Sequence, residues 1–182
     1  MTPPLNTIIE PLIGLPCWHV QWDVNTNLAM NFGEPSLSIR EPKQIQTDSS
    51  RLREVFSYRD ITIRGEWFLW ILQSYWKLTL REGTSTTIRS GQRQMQQALA
   101  RLDGQRLLGV MIMPITGHTT LSFDLGAQLT LRRQLKKPED MWILYTPEAY
   151  ALTMRSDGHV SYQPIDQDEQ WHPIEQRTVI ST

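Results

Sequence analysis

Residues with types suited to chemistry are few in this chain, and one strand-like stretch gathers three of them. Over residues 17–24, His19, Gln21 and Asp23 share a face with Cys17, while Trp18, Val20, Trp22 and Val24 share the other. On a strand, positions four apart are ~13 Å apart, so His19 and Asp23 line one side of a cleft instead of touching. A solvated strand face is the competing reading. A second set is aromatic: Trp70 and Trp76, with Tyr75, Tyr145 and Tyr150, suit a stacking platform or interface anchor if exposed, and a core if not. A third set is cationic. Arg40, Arg81, Arg132 and Arg155 fall at outward positions of strand-like segments, where guanidinium groups receive carboxylates of an acidic partner or simply meet solvent. Asp166 and Asp168 are a carboxylate pair in a polar tail, where solvation is expected.

Short motifs that carry a mechanism are absent. There is no G-x-x-x-x-G-K-[ST] loop, no G-x-G-x-x-G, no H-E-x-x-H and no G-x-S-x-G. His19, His118, His159 and His172 are scattered, and none stands at metal-ligand spacing from another His or from Cys17. No catalytic residue, cofactor or metal is therefore expected. The single cysteine excludes an intramolecular disulfide framework.

Whatever these side chains do, strands must position them. The 182 residues are 40% hydrophobic and 20% charged, enough for one packed domain. Two stretches read as hairpins around a glycine: 28–33 with 37–40, and 121–126 with 129–132. Four of these ten aligned pairs are identical (Leu28/Leu121, Gly33/Gly126, Leu37/Leu129, Arg40/Arg132), and the other six are chemically close. In the same order, 67–70 matches 142–145 and 76–81 matches 150–155, with five of ten pairs identical. Repeat one is placed at about 13–83 and repeat two at about 104–158, with an insertion at 42–60.

Period-two alternation places strands at 16–24, 27–32, 36–41, 66–72, 75–82, 106–113, 119–125, 128–134, 141–146 and 149–155. Leu37 and Ile39 are expected to face inward, and the strand around Trp67 to be covered on both faces. Met95, Ala98, Leu99 and Leu102 mark one face of a helix within 88–103, N-capped by Ser90 and stopped at Gly104. A short helix is expected at 51–56. The first ten residues read as a surface strap, and 159–182 as a tail with at most one strand, near 160–162. The expected fold is mainly β: a single domain of two five-stranded antiparallel units related by a pseudo-twofold axis and packed together, with one connecting helix at about 91–103. A closed ten-stranded barrel is the alternative.

Several of these segments also carry a resemblance. Gly33-Glu34-Pro35, Leu37 to Pro42, Gly65 to Ile71, Leu102-Asp103-Gly104-Gln105 and Phe123 to Gly126 resemble a family of small uncharacterised bacterial domains, over about residues 13–163. The resemblance implies a compact bacterial domain and no chemistry.

Charge narrows the partners. Lys and Arg total 18 against 19 acids, a net charge of −1, so a strongly basic nucleic-acid binder is excluded. Residues 40–106 carry twelve basic and seven acidic groups, but Asp48, Glu54, Asp60 and Glu66 interleave the arginines, so nucleic acid is not the expected partner. Trp (7) exceeds Phe (4) and Arg (14) exceeds Lys (4), a bias shared with interface hot spots. With no membrane-length apolar run and no secretory leader, a cytoplasmic location is expected. The function that follows is a non-catalytic bacterial protein-interaction module whose partner is another protein or a second copy of itself. The alternative is a β-barrel binding a small apolar ligand, with Met111, Met113 and Met154 in its wall and a cavity of at least ~300 Å³.

Overall fold

A computed structural model describes residues 3–23, 27–134 and 136–181. Val24, placed by its sequence spacing on a face of the first strand, lies outside the described residues. The chain forms α1 (Leu5–Ile9) and a 3-10 turn (Glu10–Leu12), then β1 (Cys17–Trp22), β2 (Leu28–Arg40), α2 (Ser50–Ser57), β3 (Asp60–Ile71), β4 (Ser74–Thr79) and β5 (Ser85–Thr87). After α3 (Gln92–Leu102) come β6 (Leu107–Ile112), β7 (Thr119–Phe123), β8 (Gln128–Arg133), β9 (Asp140–Tyr145), β10 (Tyr150–Arg155), β11 (His159–Pro164), β12 (His172–Pro173) and β13 (Thr178–Ser181).

Two antiparallel sheets result, ordered β1-β2-β3-β9-β10-β11-β12 and β13-β6-β7-β8-β4-β5. They pack through their apolar faces, with Phe32, Leu69 and Leu152 from one meeting Trp76, Leu129 and Ile112 of the other in a single core. No barrel closes. The core holds a void of only about 20 Å³, lined by Ile9, Leu12, Leu69, Val110, Trp142 and Leu144, room for about one water molecule. The barrel and its ligand cavity are both corrected by this packing: Met154 is fully buried in the core and lines no chamber.

Exchanging β1–β5 for β6–β10 in order turns the first five strands of one sheet into the corresponding strands of the other. Contacts at the centre repeat that exchange. The Gly14 N–H donates to the Leu107 carbonyl and the Gly104 N–H to the Cys17 carbonyl, each at 2.7 Å. The Leu107 N–H donates to the Leu15 carbonyl (3.0 Å) and the Cys17 N–H to the Gln105 carbonyl (2.8 Å), around a bridge between Pro16 and Arg106. Gly14 and Gly104 each follow a helical segment and both sit at φ +89°, a conformation that glycine adopts without a steric cost.

This exchange differs from the sequence pairing in its later half. The pairing set residues 67–70 of β3 on 142–145 of β9, but those strands are hydrogen-bonded neighbours, with Leu69 opposite Leu144. The counterpart of β3 in the exchange is β8. The earlier half differs too. Residues 121–132 do form a hairpin, with the Gly126 N–H donating to the Phe123 carbonyl, whereas 28–40 is one continuous strand paired with β3 along its length. Gly33 occupies a bulge there, not a turn.

Four further expectations change. The N-terminal strap is α1, whose Ile8 and Ile9 are buried with Leu12 of the next turn and seal one end of the core. The tail supplies three strands, and β13 pairs along β6 to form an edge of the second sheet. Helix α3 lies where its apolar spacing places it, but Gly91 stands at its N-cap and the Ser90 hydroxyl instead accepts from the Thr87 N–H. Strand β3 is central, yet covered fully on one face only: Trp67, Leu69 and Ile71 are buried while Trp70 is exposed.

Candidate interaction surface

The site begins at the bulge. Phe32 pairs with Trp67 and Pro35 with Gly65, so Gly33 and Glu34 together face Glu66. An extra residue of this kind, with glycine at positive φ, bends a strand and increases its twist. Gly33 has φ +76°. Four side chains stitch the joint. The Trp18 indole N–H donates to the Gly33 carbonyl (2.9 Å), and the Gly65 N–H donates to Asn31 Oδ1 (2.9 Å). Glu66 Oε2 accepts from the Glu34 N–H (3.1 Å), and Ser36 Oγ donates to the Arg64 carbonyl (3.3 Å). These bonds satisfy backbone groups that the interrupted ladder leaves without partners.

Beyond the joint, β2 and β3 continue as a two-stranded arm that pairs Leu37 with Ile63, Ile39 with Ile61 and Arg40 with Asp60. On β3, Ile61 and Ile63 have the same parity as Trp67, Leu69 and Ile71, so the core-facing side of the sheet runs on into the arm. Inside the body that side is buried. On the arm it is open, with Leu37 67%, Ile39 54%, Ile61 57% and Ile63 56% exposed.

The opposite side of the arm is occupied. Arg40 reaches over the Phe56 ring (4.6 Å from the centroid) and its Nη2 donates to the Val55 carbonyl (3.0 Å), tying α2 to the even-numbered side. The Ser49 hydroxyl caps α2 by accepting from the Leu52 N–H, the Lys43 N–H donates to the Phe56 carbonyl, and Arg59 pairs with Glu41 at 2.8 Å. Helix α2 thus covers the expected 51–56 segment and leaves the aliphatic side bare.

The three sets singled out by sequence are dispersed. In β1 a bulge between Trp18 and Gln21 breaks the alternation: Cys17 is in the core opposite Phe32, Trp22 packs on the core opposite Leu28, and Trp18 points away. His19 sits in the bulge at φ 53°, exposed, with its ring stacked beside Trp18; Gln21 is exposed opposite Ala29. Asp23 turns onto Asn27, accepting from its backbone N–H (3.2 Å) and its side-chain amide (3.0 Å). The Cys17 thiol donates to the Leu102 carbonyl, and burial, aided by the negative charge of Asp103, pushes it up to about 12.

Trp76 is fully buried and belongs to the core. Trp70 is exposed on the outer face, near the Phe68–Tyr145 stack, whereas Tyr150 stacks on Tyr162. Among the arginines, Arg40 serves the arm. Arg81 and Arg132 stand at opposite ends of the β4–β8 ladder, where the stem of Arg81 lies over Gly126 and Arg132 faces Tyr75 across the strands. Burial and the nearby Arg132 charge lower the pKa of His118. Arg155 pairs with Asp157 through two bonds (2.9 and 2.8 Å) and lies over Trp171, 4.5 Å from its ring. That contact pins the C-terminal segment against the first sheet and holds the Asp157 carboxyl at about 2, chiefly through the Arg155 hydrogen bonds. No common cationic surface forms from the four.

Sequence reasoning placed Leu37 and Ile39 on the correct side but assigned them to the core. The signal that separates them is the insertion beside them, which lengthens both strands past the reach of the second sheet. No family model, no curated protein and no solved structure is similar to this chain.

Proposed function

We propose that the chain is a non-catalytic protein-interaction module whose contact surface is the bare side of the arm. The observation that carries this reading is the exposure of Leu37, Ile39, Ile61 and Ile63 as two adjacent cross-strand pairs. At roughly 100 Å² each they present about 400 Å² of contiguous apolar surface, the size of the largest patch on a typical soluble protein, which is often functional. The stitched joint supports the same reading, because a surface presented in a fixed direction loses little freedom on docking. Trp70 and His19, both exposed on the first sheet, are available to flank a partner but have no comparable patch around them.

A photo-cross-linking amino acid at position 39, compared with one at position 165, tests the proposal in cells that make the protein. Position 165 is equally open (Ile165 is 60% exposed) but lies off the arm. A protein adduct at 39 and none at 165 is expected. A folded protein that yields no adduct at 39 overturns the reading.

The exchangeable strand order and the reciprocal hydrogen bonds of Gly14 and Gly104 support an internal duplication as the origin of the domain, with the pairing β3 to β8 and β4 to β9. The unpaired, buried thiol of Cys17 supports a reducing location such as the cytoplasm.

A further inference from the structure

We propose that the outer face of the second sheet binds single-stranded RNA. This surface is independent of the arm, which belongs to the first sheet. None of the six strands of the second sheet carries an Asp or Glu, whereas β2, β3 and β9 of the first sheet do. Trp76, Leu78, Leu129 and Leu131 point into the core, so the residues alternating with them point out. Cross-strand pairs fix the neighbours on that side. Tyr75 stands opposite Arg132, Lys77 between Thr130 and Thr87, and Thr79 between Gln128 and Ser85. Arg89, just past β5, flanks Tyr75 from the other side, 5.8 Å from its ring centroid. Arg81 continues the outward side of β4 and lies over Gly126. Lys77, Arg81, Arg89 and Arg132 are exposed, and among the described residues none of the four is in an ion pair.

The cations come from two distant stretches, so the interleaved charges of 40–106 conceal the face they form. Residues 74–137 carry ten basic and three acidic groups, against eight basic and sixteen acidic in the rest of the chain. Those three acids are engaged elsewhere. Glu82 is held by Arg101, Asp124 accepts from the Arg106 N–H (2.8 Å), and Asp103 ends α3 near Cys17.

The side chains on the face select the ligand. Phosphate and sugar groups of a nucleic acid are held by Arg, Lys, Ser, Thr, Gln and Tyr, and unpaired bases stack on aromatic rings. Four cations and a tyrosine among threonines and serines supply both. The hydroxyls of Thr79, Thr87 and Thr130 can both donate to and accept from a ribose 2′-OH, which DNA lacks. A protein interface has an apolar centre, and stable anchoring to lipid adds an apolar signal to the cations. The outward positions of β8, β4 and β5 hold no aliphatic residue. A duplex groove admits a helix or a two-stranded ribbon, whereas a broad sheet face suits a single strand laid along it.

The experiment is fluorescence anisotropy of a labelled oligouridylate of about 12 nucleotides, titrated with the full chain at several salt concentrations. A Kd on the order of 10 µM is expected at about 50 mM salt, and with about four phosphates neutralised log K should fall with log salt at a slope of about −3. Lys77→Gln with Arg132→Gln should roughly halve that slope, and Tyr75→Leu should weaken binding roughly tenfold at unchanged slope. Arg51→Gln with Arg53→Gln removes the same charge from α2 and should alter neither quantity. Circular dichroism checks that each variant is folded. An oligodeoxyuridylate of equal length should bind several-fold more weakly. No anisotropy change with ~100 µM protein at low salt, or equal losses from the α2 pair, overturns the proposal. So does equal or tighter binding of the oligodeoxyuridylate, of polyglutamate or of vesicles rich in phosphatidylserine.

Discussion

Replacing Gly33 with alanine tests whether the joint of the arm is built as described. Gly33 has φ +76°, and a methyl group there lies 2.2 Å from Glu66 Oε2. Two costs combine. Holding an L-residue in the left-handed region costs about 1–2 kcal/mol. Displacing the Glu66 carboxylate breaks its bond with the Glu34 N–H, an exposed contact that contributes about 1 kcal/mol. Gly33→Ala should therefore destabilise by about 2–3 kcal/mol. In a Glu66→Ala background the carboxylate conflict is gone and the hydrogen bond is already lost, leaving only the Cβ of residue 66 at 3.2 Å, so the same change should cost mainly the backbone part, about 1–2 kcal/mol. Urea unfolding of the four proteins, with unchanged slopes, gives a coupling energy near 1 kcal/mol. Gly65→Ala is the contrast: its methyl group meets the Phe32 carbonyl oxygen at 2.6 Å and Asn31 Cβ at 2.9 Å, so Glu66→Ala should not relieve it. Equal costs of Gly33→Ala in the two backgrounds, or no cost in either, would refute the geometry of the bulge.

Cys17, fully buried with its thiol pushed up to about 12, should react with thiol reagents only through opening of the fold. Its labelling rate should follow global stability across urea concentrations, and fast labelling of the native protein would contradict the packing. Asp157 is held at about 2, below its ordinary 3.8, by Arg155. A depressed carboxylate stabilises above the unfolded pKa and loses that contribution as pH falls through the folded one, so stability should drop between about pH 4 and pH 2, by about 1 kcal/mol after solvent screening. Arg155→Gln should raise the Asp157 midpoint toward 3.8 in carboxyl NMR and flatten that part of the stability profile; an unmoved midpoint would show that the ion pair is not the cause.

Local patterns were readable where a single period decides the outcome. Met95, Ala98, Leu99 and Leu102 marked α3, and alternation in 121–132 marked β7 and β8 with a turn at Gly126. Gly33 defeated the same logic. A tight turn and a bulge both demand positive φ from a glycine, so the residue alone does not separate them. The difference lies in β3, whose pairing with β2 continues past the joint to Asp60 and gives the chain a ladder to follow. Strand β1 failed similarly, since a bulge at His19 moves Cys17 onto the core face against the simple alternation.

By itself the sequence determined a mainly β chain, the helix between two strand-rich halves, the short α2 and the shared side of Leu37 and Ile39. These depend on side-chain spacing along one segment. Only tertiary structure decided which strands became neighbours, that Trp76 is core and Trp70 surface, that the tail closes an edge of the second sheet, and that Leu37, Ile39, Ile61 and Ile63 are left uncovered. Burial is a relation between distant segments. A strand carries its apolar side wherever it goes, and the opposite sheet ends before the arm does.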